Sequence, residues 1–142
     1  MQTFVPVADF HRSAKAMDLK RLGKQIIESQ QIFKALSIPE YGWKSHPATK
    51  MWEGHRLSLV KYTKCFNQEW FRRRGAHHGG YLNLLSIVTE MEIGYEEFEM
   101  PDWWGREDVH ESHKSNLIRK MPEHYGPLWP DVPDDIPYVW PR

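Results

Sequence analysis

Apolar positions recur every three or four residues along four stretches of the chain, the rhythm of helices that bury one side. In Met17–Leu36 (MDLKRLGKQIIESQQIFKAL), Leu19, Leu22, Ile26, Phe33 and Leu36 form such a stripe, on a helix that starts near His11 or Lys15. Pro47 opens a second helix reaching Arg74, with Trp52, His55, Leu59, Tyr62, Phe66 and Trp70 along one side. Gly75 stops it, and Arg72, Arg73 and Arg74 in its last turn complement the helix dipole. The third, Tyr81–Ile93, is dense in Leu, Ile and Val and reads as the most core-like. The fourth, Arg106–Lys120, ends before Pro122.

The stretches between them carry turn and breaker residues. Residues 1–10 (MQTFVPVADF) read as an extended apolar lead packed across the domain. Ser37–His46 and Gly75–Gly80 are loops, and Gly94–Gly105 is acidic, aromatic and irregular. The tail Met121–Arg142 holds six of the ten prolines, so neither regular helix nor central strand suits it. Its Tyr125, Leu128, Trp129, Ile136, Tyr138, Val139 and Trp140 are too apolar for a disordered tail, which points to an extended strap on the helices. No repeat, linker or strand alternation appears. The expectation is one all-α domain over residues 1–142, about four helices with a proline-rich C-terminal strap. Gly23, inside the first helix at a cost of ~1 kcal/mol against Ala, leaves room for something to approach closely.

Composition narrows the functional classes. A chain of 142 residues with 13% aromatics can bury a sizeable core without metal or disulfide support. The single Cys65 cannot pair internally, which suits a reducing compartment. No apolar run approaches the ~20 residues that cross a bilayer, and the N-terminal residues lack a signal-peptide pattern; the expectation is a cytoplasmic protein with no membrane contact. Formal charge sums to zero, but Arg12, Lys15, Lys20, Arg21 and Lys24 crowd one end while acids gather in residues 90–108 and 131–135. Separated signs leave a basic side able to meet a phosphate backbone.

On the first helix Asp18, Arg21, Gln25 and Glu28 share a face, with Lys24 beside them. A guanidinium, an ammonium, an amide and a carboxylate together can hold a phosphate and offer an acid or base to what it carries. The same face would also serve as a solvated surface with local ion pairs. On the fourth helix His113, Asn116 and Lys120 form a polar stripe suited to phosphate and base-edge contacts, or else a satisfied His with two surface neighbours. Trp43, Trp52, Trp103 and Trp104 are candidates to stack on an extruded base or to fill the core. Eight His include His110 and His113 at helical spacing and the adjacent His77 and His78. Zinc spacings, phosphate-binding loops and dinucleotide fingerprints are absent, so no metal and no cofactor is expected.

MQTFVPVADFHRSAKAMDLKRLGKQIIESQQIFKAL, followed by YGWKSHPATKMW, HESHKSNLIRKMPEHYGPLWP and IPYVWP, resembles the bacterial and phage proteins grouped with pyrimidine-dimer DNA glycosylases of the endonuclease V type. That resemblance implies a compact helical domain acting on damaged or modified duplex DNA; no obligate protein partner is evident in the sequence. It implies a two-step reaction: the N-terminal α-amine attacks C1′ of the damaged nucleotide and expels the base, and the resulting Schiff base permits strand cleavage, assisted by a helix-borne Glu. Two positions depart from the pattern. Gln2 is bulky, so Met1 is expected to stay and to supply the amine. Leu22 follows Arg21 where the phage enzyme has its Glu, and Glu28 is the carboxylate on a compatible face two turns later. Combined with the polar stripes of the first and fourth helices, the expected site has Met1, Glu28 and His113 in chemical roles, and Arg21, Lys24, Gln25, Asn116 and Lys120 on DNA. A non-catalytic nucleic-acid binding module and a small-molecule or nucleotide hydrolase are the alternatives.

Overall fold

In the computed structural model, which describes residues 1–91, 93 and 97–141, an extended N-terminal segment runs into the middle of a helical assembly. Gln2 to Pro6 are buried without any sheet partner, so side chains must satisfy their backbone. Thr3 N–H donates to Gln2 Oε1 (2.9 Å), Phe4 N–H to Gln25 Oε1 (2.7 Å) and Val5 N–H to His113 Nδ1 (2.9 Å). The Phe4 carbonyl accepts from Tyr62 Oη–H (3.0 Å) and the Val5 carbonyl pairs with His110 Nδ1 (2.7 Å). Trp52 Nε1–H reaches Thr3 Oγ1 at 2.9 Å.

The described residues form seven α-helices: α1 (Phe10–Ala16), α2 (Leu19–Ser37), α3 (Pro47–Lys50), α4 (Arg56–Arg74), α5 (Gly79–Met91), α6 (Glu107–Lys120) and α7 (Pro122–Tyr125). No strand occurs among them, as the all-α reading expects. The first predicted helix is two. Met17 is extended and Asp18 caps α2 through the Arg21 N–H. The carbonyls exposed by the break are taken up from elsewhere: Arg73 donates to Met17 O (2.7 Å) and Lys15 O (3.1 Å), and His124 Nε2 lies 2.9 Å from Ala16 O. The second predicted helix is also interrupted, by a turn at residues 51–55 between α3 and α4.

One core cluster runs from Phe4 through Leu22, Ile26, Phe33, Trp52, Tyr62 and Phe66 to Leu117 and Tyr125. Gly23 lets α4 approach: a Cβ there would sit 2.9 Å from the Trp70 ring. Expectations about burial need four corrections. Leu19, at the first turn of α2, is exposed. Within α5 only Leu84 is buried, while Leu82 and Leu85 face outward, because an unbroken apolar run says nothing about which side meets a neighbour. His55 is not in the core; it is the partly buried residue at the N-terminal cap position of α4, with Nδ1 3.0 Å from the Glu99 carbonyl. His113, by contrast, is fully buried. The start of the proline-rich tail is helical against expectation, because Pro122 sits at the first position of α7, where no N–H is needed. Further on the tail packs as an extended strap: Ile136 N–H donates to Ser115 Oγ (2.9 Å), Val139 N–H to Ser112 Oγ (3.2 Å), and Asn116 Nδ2 reaches Ile136 O (3.2 Å). Glu92, the Gly94–Glu96 part of the acidic stretch, and Arg142 lie outside the described residues. None of the described helices is long and apolar enough to cross a membrane.

Candidate active site

A pocket of about 310 Å³ opens where the N-terminal segment meets the first half of α2, the end of α6 and the strap. Its wall comprises Met1, Gln2, Phe4, Lys20, Arg21, Lys24, Gln25, Glu28, Lys120 and Tyr138, though only Met1, the four cations and Glu28 carry charge there. The helix supplies its charged side by spacing: Arg21, Lys24 and Glu28 lie three and four residues apart and project together.

Glu28 is the carboxylate in this wall, and most of its side chain is shielded. Its Oε2 accepts from the Gln2 N–H (3.3 Å) and from Gln25 Nε2 (3.1 Å), and its Oε1 lies 3.9 Å from Lys24 Nζ. The carboxylate is thus tied by one oxygen to the residue next to the chain's amine. Gln25 is buried, and its Oε1 accepts from Phe4 N–H and Tyr62 Oη–H while its Nε2 orients Glu28. Burial pushes the Tyr62 phenol well above its usual value, with Glu28 adding to the effect, so this donor stays protonated.

Arg21 is braced at 3.3 Å on Asp18. Burial raises the Asp18 carboxyl, but hydrogen bonds from Tyr125 and Arg21 outweigh it and leave its pKa below the usual value. Lys24 is 65% exposed, and Lys20 and Lys120 are also exposed, so three ammonium groups stand ready for an incoming anion. Burial lifts the Tyr138 phenol to about 12, making it a hydrogen-bond donor at the pocket wall at any physiological pH. His46 lies at the same end of the molecule. Burial and the Met1 ammonium lower its pKa, and Glu28 offsets part of that, so both charges act on this ring.

The structure brings Met1, Glu28, Arg21, Lys24, Gln25 and Lys120 of the expected site together. It does not bring His113 or Asn116 to the pocket. His113 spends Nδ1 on Val5 N–H deep in the core, and Asn116 holds Ser112 O (2.7 Å) and the strap, its Oδ1 accepting from Arg119. Their stripe on α6 faces the N-terminal segment and the strap rather than an opening. Lys20 and Tyr138 complete the wall and were missed. Lys20 stands four residues before Lys24, a signal available in sequence; Tyr138 reaches the pocket only through the path of the strap. Trp52 and Trp103 are core residues, whereas Trp43 is exposed. Among the described residues no group of three or more His, Cys, Asp or Glu is placed to hold a metal ion. His110 and His113 instead clamp the two backbone groups of Val5.

A family model, pyrimidine dimer DNA glycosylase, matches residues 1–81. The chain belongs to this family. No curated protein and no solved structure matches it. Membership supports a DNA glycosylase role in general, with DNA as substrate. In this glycosylase-family chain the matched residues carry Met1, Arg21, Lys24 and Glu28, while Lys120 and Tyr138 come from beyond the matched region.

Proposed function

We propose that this protein removes a damaged pyrimidine from duplex DNA through the α-amine of Met1, and cleaves the strand at the resulting site. The observation that carries the reading is the convergence of Met1, Glu28 and four cations on one nucleoside-sized pocket. An α-amine is as a class less basic than a lysine amine, which makes it the better nucleophile near neutral pH.

The amine nitrogen bonds to C1′ as the glycosidic bond breaks, and the base departs with the bonding pair and takes up a proton. Positive charge builds on the sugar, and the Glu28 carboxylate faces it from the pocket wall. Opening of the sugar ring gives an iminium between Met1 and C1′. Loss of a C2′ proton then expels the 3′ phosphate, and water hydrolyses the imine to free the protein. Lys20, Arg21, Lys24 and Lys120 hold the flanking phosphates. Gln25 fixes Glu28 in place.

Borohydride trapping tests this on a duplex carrying a pyrimidine dimer and on one carrying an abasic site. The expected result is a covalent adduct whose digest places the DNA on residue 1. Glu28→Gln can keep the hydrogen bonds from Gln2 and Gln25 while losing its charge, so near-normal DNA affinity is expected with base release slower by about two orders of magnitude or more. Binding without any adduct or base release would make the protein a nucleic-acid binding module instead.

A further inference from the structure

The loop between α2 and α3 contains a residue that is costly in two ways. Trp43 has φ +69°, the one positive φ outside glycine among the described residues, and the residue is 53% exposed. A left-handed backbone costs roughly 1–2 kcal/mol in a residue with a Cβ, and an exposed indole forgoes the gain of burial. The conformation is held by its surroundings. His46 N–H donates to Trp43 O (3.1 Å), Tyr41 N–H to Ile38 O (3.1 Å), and Lys44 Nζ anchors the loop to Ala35 O (2.7 Å) at the end of α2. Strain kept in a braced loop, on a residue that presents a large flat ring to solvent, points to a task for that ring.

The ring's position says what the task is. Trp43 meets His46 edge-on with centroids 5.7 Å apart, His46 meets Trp140 at 6.0 Å, and Trp140 meets Tyr138 at 5.1 Å. Tyr138 is part of the pocket wall. A row of ring contacts therefore runs from the wall of the Glu28 pocket to an exposed indole at its outer end. Extruding a nucleotide from a duplex costs a few kcal/mol of lost stacking, and an inserted side chain that stacks on the vacated step returns ~1–3 kcal/mol.

We infer that Trp43 is a stacking wedge, its indole entering the duplex beside the lesion and covering the base left bare when a nucleotide there leaves the stack. This rests on the DNA-acting reading above, so the test separates the two. The probe is a duplex with a reduced, uncleavable abasic site flanked by 2-aminopurine, titrated to saturation with wild type, Trp43→Gly and Trp43→Phe. Glycine removes the ring and relaxes the positive φ, while phenylalanine keeps a smaller ring.

Wild type is expected to quench the 2-aminopurine, Trp43→Phe to quench it partly and Trp43→Gly to leave it bright. Trp43→Gly should melt no lower than wild type. It should release base from a lesion-bearing duplex at least ~10-fold more slowly, yet within about 2-fold of wild type from a single strand, where no stack has to be opened. Equal quenching by wild type and Trp43→Gly would overturn the wedge, and so would a rate loss of equal size on duplex and single strand. If wild type releases no base from any substrate, the glycosylase reading fails, and the quenching still decides the wedge.

Discussion

A histidine shut away from water holds its second proton poorly, and burial pushes His113 down to about 3, with His110 adding a smaller push in the same direction. The neutral ring is the form the fold needs, because its Nδ1 must accept from Val5 N–H. Its folded value lies below the unfolded one, so the unfolded chain takes up the proton first as pH drops through about 6.5. Stability from this group is constant above that value and falls below it. Urea unfolding should show a loss of about 1–2 kcal/mol between pH 6.5 and 5, and His113→Asn should flatten that slope while costing about 1–3 kcal/mol at pH 7. A stability that does not change over this range would mean the ring is not held neutral. Glu28 sits in the opposite situation: one oxygen is tied into the fold and the other lies at the pocket beside Lys24. Sequence spacing brings Glu28 and His113 forward on equal terms, as polar members of helical stripes. Burial separates them, and burial is a property of the packed molecule.

At the level of the helices, periodicity located α5, α6 and the C-terminal ends of α2 and α4 to within a few residues, but ran the second helix from Pro47 where α4 begins at Arg56. It did not locate the break at Met17–Asp18. The apolar rhythm continues through it, and the groups that make it tolerable, Arg73, His124 and Tyr125, lie far along the chain. Gly23 shows the same division. The sequence flags a costly glycine in a helix, and the structure supplies the reason in the Trp70 ring. Helix propensity alone favours Gly23→Ala by ~1 kcal/mol, but the added methyl would meet that ring at 2.9 Å. Steric cost wins if the ring cannot move, so Gly23→Ala is expected to lower stability by about 1–2 kcal/mol, and Trp70→Phe combined with it to recover part of the loss relative to Trp70→Phe alone. A double mutant whose loss is simply additive would show that the two residues do not share this space.

Across the whole molecule charge is balanced, with 19 basic and 19 acidic residues, so DNA affinity depends on where the cations stand. Three exposed lysines and the braced Arg21 surround one pocket. Lys24→Ala and Lys120→Ala should each weaken duplex binding and reduce the slope of log affinity against log salt by about one. Slopes unchanged in both variants would place the DNA on another face. Half of this surface was legible in the sequence, since Arg21, Lys24 and Glu28 share one helix. Its other half is a meeting of the N-terminal segment, the end of α6 and the strap, contacts that no local pattern encodes.

The clamped N-terminal segment has a consequence for the order in which the protein is made. Val5 is bonded to residues 105 and 108 positions further on, so when residues 1–5 leave the ribosome none of their final partners on α6 has been synthesised. Closing contacts of such separation is slow compared with forming α2 or α4 on their own. The segment that carries Met1 therefore reaches its place beside Glu28 late, after the helices that receive it have formed. A nascent or partly folded chain already displays its basic helix, yet the pocket that gathers Met1, Glu28 and the four cations forms only with the completed fold.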